Sequence, residues 1–173
     1  MIPPFRPDII QYAWVVPDLV TAIHHWNRTL GVGPFLVSRN IPIEGARHRG
    51  QPRTVPFSTA VAQSGSAQIE LVEQHDDGPS AFHDTVAPGE TRFHHVAIVT
   101  DQFEATLARY ADAEVAADGR LGDIRFAYLD TSATIGAMLE VLDDGPSIRA
   151  FFGAIRKAAE RWDGDAATLI REL

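Results

Sequence analysis

Four polar side chains stand where the surrounding pattern calls for apolar ones: Gln11, Glu70, His95 and Glu140. Glu70 lies in Gln68-Ile69-Glu70-Leu71-Val72 and Glu140 in Met138-Leu139-Glu140-Val141-Leu142. A carboxylate in the middle of an aliphatic strand is costly to bury without a partner. A lone glutamate of this kind is more often on the solvent face of a sheet. Two of them, an imidazole and an amide share one obvious partner, a divalent cation. One nitrogen and three oxygen donors without a thiolate suit Zn²⁺, Ni²⁺, Co²⁺, Mn²⁺, Fe²⁺ or Mg²⁺. Four protein ligands leave room on a six-coordinate ion for substrate oxygens. Such an ion acidifies a C–H beside a carbonyl, and a neighbouring carboxylate can move the proton.

The case for grouping these four is an internal repeat. Arg92 to Asp101 alternates as a strand does and has an echo at Ile10 to Asp18. Laying Gln11 on His95 puts Ala13 on Ala97 and Val15 on Val99. A helical pattern follows each copy. Asp76-Asp77-Gly78-Pro79-Ser80 recurs letter for letter at Asp143-Asp144-Gly145-Pro146-Ser147. Two copies of one supersecondary unit place equivalent residues around a shared site.

Two choices within the set need reasons. His94 competes with His95; neighbours on a strand point to opposite faces, and the repeat selects His95. Glu73 competes with Glu70 and is the better match to Glu140 when counted back from the repeated turn. Glu70 is preferred because Glu73 ends its strand and faces away from Gln68 and Glu70.

The elements that must hold these residues follow from periodicity. Asp8 to Val16 reads as a strand, Leu19 to Leu30 as a helix capped by Asp18 and stopped at Gly31, and Phe35 to Arg39 as a short strand. Thr54 to Gln63 and Ala67 to Glu73 form a hairpin. The second copy reads as a strand at 92–100, a helix at 101–111, and strands at 114–117, 125–131 and 137–142. Ser147 is expected to cap a helix over 148–162, and 163–173 to be a frayed tail or short helix. Met1 to Pro7, with three prolines, reads as an extended arm. The expected organisation is one domain over 1–173, with modules at 8–80 and 92–147, a linker at 81–91 and a C-terminal helix at 147–162.

Ile41 to Arg53 breaks the pattern. Pro42, Gly45, Gly50 and Pro52 mark it as a mobile loop, long enough for a lid. It clusters Arg47, His48, Arg49 and Arg53. The bland reading is a solvated loop. The functional one, resting on Arg47, His48 and Arg49, is a clamp for a phosphate or carboxylate of the substrate. Glu44 is a further candidate acid or base. His24, His25, His75 and His83 read as surface or turn residues. Tyr12, Trp14, Phe126 and Tyr128 are core or cleft wall.

Composition narrows the function classes. The 173 residues suffice for one ordinary domain, and 45% hydrophobic with 22% charged residues is a globular balance. The absence of cysteine excludes disulfides and thiolate ligands and fits a reducing cytoplasm. A net charge of −8 argues against nucleic acid as partner. No signal peptide is read at the start, and no apolar run is long enough for a membrane span.

At these residues the chain resembles the vicinal oxygen chelate superfamily, which includes glyoxalase I, methylmalonyl-CoA epimerase, extradiol dioxygenases and bleomycin-resistance proteins. Gln11-Tyr12-Ala13-Trp14-Val15-Val16-Pro17-Asp18-Leu19 looks like its opening strand, usually written with His first. His95-Val96-Ala97-Ile98-Val99 looks like the same motif in the second module, and Ile69-Glu70-Leu71-Val72-Glu73 like a ligand strand. The resemblance covers roughly residues 8–143. It implies an α+β fold of two tandem βαβββ modules whose mixed sheet curls around a metal-binding cleft, here with an extra C-terminal helix. It implies Gln11, Glu70, His95 and Glu140 as ligands of one divalent ion, and Glu140 as the proton-transfer base with Glu70 as its partner. The expected protein is a metal-dependent isomerase, epimerase or glyoxalase-like lyase acting on a small molecule, and a homodimer. The alternatives are an iron-dependent extradiol-type oxygenase, which Gln11 in the first His place counts against, and a non-catalytic binding protein.

Overall fold

The structure is a computed structural model that describes residues 6–173, so Met1 to Phe5 of the expected N-terminal arm lie outside it. In chain order its strands are β1 (Gln11–Val15), β2 (Phe35–Ser38), β3 (Glu44–His48), β4 (Gln51–Pro52), β5 (Phe57–Ser64), β6 (Ala67–Gln74), β7 (Arg92–Thr100), β8 (Val115–Leu121), β9 (Ile124–Leu129), β10 (Met138–Asp143) and β11 (Ile170–Glu172). The helices are α1 (Leu19–Leu30), α2 (Ala81–Thr85), α3 (Phe103–Arg109), α4 (Ser132–Ile135) and α5 (Pro146–Glu160), with a 3₁₀ turn at Ala166–Thr168.

Among the described residues, all eleven strands join one mixed sheet in the order β11-β2-β5-β6-β1-β7-β10-β9-β8-β3-β4. Its centre is symmetric. Outward from the β1–β7 seam, one side runs β6, β5, β2 and the other β10, β9, β8. The fold is therefore α+β, two βαβββ units side by side in a curled, open sheet. At the seam β1 and β7 are antiparallel, with Tyr12 opposite Val96, Gln11 opposite Ala97 and Ala13 opposite His95. That pairing is the two-fold relation the sequence echo requires.

Local chemistry explains the helix ends. Asp18 Oδ1 accepts from the Thr21 N–H at 2.7 Å, and Gly31 closes α1 with φ 68°. Leu19 and Ile23 of α1 are fully buried against Phe35, Val37 and Leu71. The identical turns start their helices differently. Ser80 caps α2 by accepting from the His83 N–H at 3.0 Å. In α5 the cap is Gly145 with Pro146 in the first turn, and Ser147 makes no side-chain cap, contrary to expectation. Proline suits that position because the first-turn N–H groups have no helical partner anyway.

Two segments differ from the sequence reading. The expected mobile loop at 41–53 is a hairpin. Arg49 and Gly50, at φ 46° and 76°, form its two-residue turn, and β3 pairs antiparallel with β8 of the second unit. Its glycines are turn and bulge residues, Gly45 lying at the register shift on β3. The tail is neither frayed nor helical at its end. β11 adds parallel to β2, Leu169 is 1% exposed, and Arg39 pairs with Glu172 at 3.0 Å.

Candidate metal centre and its cavity

Strand register brings the four candidate residues to one face. Ala13 on β1 lies between Glu70 on β6 and His95 on β7. Ala97 on β7 lies between Gln11 on β1 and Glu140 on β10. Directly paired residues share a face, as do i and i+2 along a strand. Both alanines are fully buried. Their small side chains leave space that the four longer ones converge to fill. The same register makes Glu70 and Glu140 equivalent by strand pairing: Glu70 stands to Ala13 as Glu140 stands to Ala97. Glu73 is used elsewhere, its Oε2 accepting from the Leu19 N–H at 2.9 Å where α1 begins.

One ligand atom each from Glu70, His95 and Glu140 lies within 4.8 Å of the others. His95 Nε2 is 3.2 Å from Glu70 Oε2 and 3.4 Å from Glu140 Oε2. Neither approach has hydrogen-bond geometry, and Nε2 is a buried side-chain atom without a hydrogen-bond partner among the described residues. Burial holds the Glu70 carboxyl above its usual range, against the opposing pull of His95. Burial alone would push the His95 imidazolium down, but Glu140 and Glu70 outweigh it and raise it to about 9. A buried nitrogen facing one buried and one partly buried carboxylate fits a divalent ion of borderline to hard character. Gln11 is 4% exposed in the same cavity, its amide N–H donating to Gln68 Oε1 at 3.4 Å.

His94 does not point away from His95 as strand alternation predicts. The register slips between Ala13 and Trp14, which face His95 and Phe93, so His94 has no partner on β1. This irregularity brings the two Nδ1 atoms to 2.8 Å. Extra residues of this kind re-aim side chains beside functional sites. His94 Nε2 is 2.9 Å from the Ala81 carbonyl, which can only accept. Burial and the His95 charge lower the His94 pKa to about 3, so the ring is neutral. Its proton is therefore on Nε2, and its Nδ1 accepts from His95 Nδ1–H. The remaining His95 nitrogen is the one that faces the carboxylates.

A cavity of about 520 Å³ opens above this centre, with Gln11, Glu70, Glu140 and Tyr128 in its lining. Tyr128 lies opposite Glu140 on β9, its ring 5.0 Å from that of His95. Burial first, then the Glu140 and Glu70 charges, hold its hydroxyl well above the ordinary value. The β3 hairpin supplies one wall with Ile43, Arg47 and His48, and α5 another with Phe151 and Phe152.

The basic cluster is fully engaged by carboxylates. Arg47 pairs with Asp118, its Nε at 2.9 Å from Oδ1. His48 Nε2 is 3.0 Å from Asp84. Arg49 meets Asp84 at 2.9 Å, Asp130 at 2.8 Å and also Glu114, and it is absent from the cavity lining. Arg53 meets Asp76 at 2.8 Å. Glu44 is exposed on β3. His24 and His25 are exposed on α1, while His75 and His83 bond Ser58 and the Gly78 carbonyl. Phe126 and Tyr128 line the cavity; Tyr12 and Trp14 pack into the cores. Sequence reading placed Tyr128 in the core or cleft wall, as found, but missed the His94 contact and the approach of the Tyr128 ring to His95. Tyr128 follows Phe126 at strand spacing, the only local sign of it.

Residues 10–128 match the model of the glyoxalase/bleomycin resistance protein/dioxygenase superfamily. The chain belongs to this superfamily. Among solved structures of the same fold is a Streptomyces coelicolor methylmalonyl-CoA epimerase variant in complex with 2-nitronate-propionyl-CoA, at 19% identity and TM-score 0.53, covering 80% of this chain and 98% of that one. A hypothetical protein from Bacillus halodurans C-125 matches at 15% identity and TM-score 0.56, covering 82% and 96%. Methylmalonyl-CoA epimerase from Mycobacterium tuberculosis matches at 17% identity and TM-score 0.51, covering 86% and 97%. No curated protein matches the chain. Superfamily members typically bind a metal, which agrees with the Glu70, His95 and Glu140 cluster. Among the described residues no helix is long and apolar enough to cross a membrane.

Proposed function

We propose that this protein is a metal-dependent enzyme that moves a proton alpha to a carbonyl of a small-molecule substrate, as an isomerase, epimerase or glyoxalase-like lyase. The observation that carries this reading is the buried His95 Nε2, without a hydrogen-bond partner among the described residues, facing Glu70 and Glu140 at the floor of a substrate-sized cavity. Gln11, Glu70, His95 and Glu140 would hold the ion. A divalent ion there supplies stabilisation of negative charge developing on a carbonyl oxygen. Glu140 takes the proton from the substrate carbon, and Glu70, across the same floor, is its partner in returning one. Burial raises the Glu70 carboxyl and so strengthens it as a base when ionised. The cluster offers two carboxylates and one imidazole, whereas an iron oxygenase of the facial-triad kind uses two imidazoles and one carboxylate. Epimerase neighbours of the same fold support the reading. A cytoplasmic homodimer is part of it.

The test joins elemental analysis to solvent exchange. About one divalent ion per chain, lost in a His95→Ala, Glu140→Ala double variant, with deuterium from D₂O entering a carbonyl compound's alpha carbon, is the expected result. A parent protein that takes up no Zn²⁺, Ni²⁺, Co²⁺ or Mn²⁺ on dialysis overturns it.

A further inference from the structure

The cavity walls and the state of their charges speak to what the site accepts. Ile43, Phe57, Phe82, Phe126, Phe151 and Phe152 give it apolar and mainly aromatic walls. They come from both units, from the hairpin and from α5, and line the same cavity as Glu70 and Glu140. Among the described residues, the basic side chains in the lining are Arg47, His48 and Arg53. Each already faces a carboxylate of this chain: Asp118, Asp84 and Asp76 respectively. Arg53 is further held by the Pro79 carbonyl at 3.1 Å, and Asp76 by Gln74 Nε2 at 2.8 Å. Asp123 adds another acidic side chain to the lining, and the chain as a whole carries −8. A handle that binds through phosphates or carboxylates, such as a nucleotide diphosphate or the two carboxylates of glutathione, would have to break these pairs and enter a region of like charge.

We infer that the substrate is an uncharged, apolar or aromatic carbonyl compound lying wholly within the cavity, and neither a CoA thioester nor a glutathione adduct. This deepens the proposed proton transfer and rests on it for the position of the carbonyl. About 520 Å³ is within the usual range of small-molecule sites, which are mostly apolar with a few directing polar groups. Here the directing groups are those on the floor: Gln11, Glu70, Tyr128 and Glu140. The carbonyl lies there, and the hydrocarbon part extends between the phenyl rings. The paired arginines act as structural ties of the hairpin to β8 and to the turn at 76–80.

The test is binding, independent of turnover, on the full chain as purified. Isothermal titration calorimetry compares 2-tetralone, a neutral aromatic ketone, with propionyl-CoA and S-methylglutathione, at low and at moderate salt. The expected result is a Kd for 2-tetralone at least tenfold below both others. Amide resonances of Ile43, Phe126 and Phe152 should shift on titration. Leu121→Asp, a change at a wall residue that is 37% exposed, should weaken 2-tetralone at least tenfold while the thermal unfolding midpoint stays near the parent's. Tighter binding of propionyl-CoA, abolished by Arg47→Ala or Arg53→Ala, overturns the inference, as does binding of none of the three probes. Deuterium exchange separates the two readings. Binding of 2-tetralone without exchange into any ketone leaves the substrate class standing and removes the proposed reaction. Binding and exchange of propionyl-CoA do the reverse.

Discussion

His94 Nδ1 lies 2.8 Å from His95 Nδ1, and a single proton must sit between them. The Ala81 carbonyl claims the far N–H of His94, so the shared proton belongs to His95. This relay fixes the His95 tautomer and presents Nε2 to Glu70 and Glu140. Partners of this kind around metal-binding histidines typically contribute 10- to 100-fold in affinity. His94→Phe should therefore lower affinity for Zn²⁺ or Co²⁺ by about 10- to 100-fold. His94→Asn keeps an acceptor near Nδ1 and should retain affinity within about threefold, by the same reasoning. Imidazole ¹⁵N spectra of the metal-free protein should show His94 protonated at Nε2. Equal affinities for all three proteins would refute the relay.

The two floor carboxylates should separate binding from chemistry. Glu140→Gln retains an oxygen ligand but cannot accept the substrate proton. Deuterium exchange should fall at least about 100-fold, the usual scale for a lost general base, while metal content stays near the parent level. Exchange at the parental rate would remove Glu140 as base.

Acidity gives a signed prediction. His95, faced by Glu70, Glu140, His94 and Tyr128, has its pKa raised to about 9. A bound ion must displace the proton on Nε2. Metal affinity should fall by about tenfold per pH unit as pH drops below that value, with about one proton released per ion. Without metal, the raised pKa stabilises the fold below the unfolded value near 6.5, and that contribution is lost as pH rises through about 9. His94 has the opposite sign. Its pKa of about 3 adds stability above about 6.5 that is progressively lost on acidification toward 3. Denaturant unfolding of the metal-free protein should thus show the two histidines opposing one another on either side of about pH 6.5. Affinity flat between pH 6 and 9 would contradict the assignment.

The hairpin depends on a close approach at Gly119. A Cβ there would lie 2.5 Å from Ile43 Cγ2 and 3.3 Å from both the Glu44 carbonyl oxygen and Phe126. Gly119→Val should destabilise the protein by about 1–3 kcal/mol through overpacking and speed amide exchange along Glu44–His48. Unchanged exchange there would mean that β3 docks on β8 without this contact.

Much of the centre was legible because it is periodic. The Gln11–His95 echo and two interrupted apolar runs point to equivalent strands, and the β1–β7 pairing has the register those residues imply. The repeated turn favours Glu73 as the match to Glu140, whereas strand alternation sets Glu73 on the other face from Glu70, where it accepts from the Leu19 N–H. His94 was not legible, because alternation fails where the register slips at Trp14.

Length, charge, repeat and alternation are local or additive properties, so the chain alone determined an α+β fold of paired βαβββ units and the residues around its seam. Partners across long separations are neither. That β3 crosses to β8, that β11 joins β2, and that each arginine of the basic cluster meets an acid from a distant segment were decided by tertiary structure. Gly and Pro at 42–52 serve a hairpin as well as a loop. Only the edge strand waiting on the second unit selects the hairpin, because pairing satisfies backbone groups that a loop leaves to water.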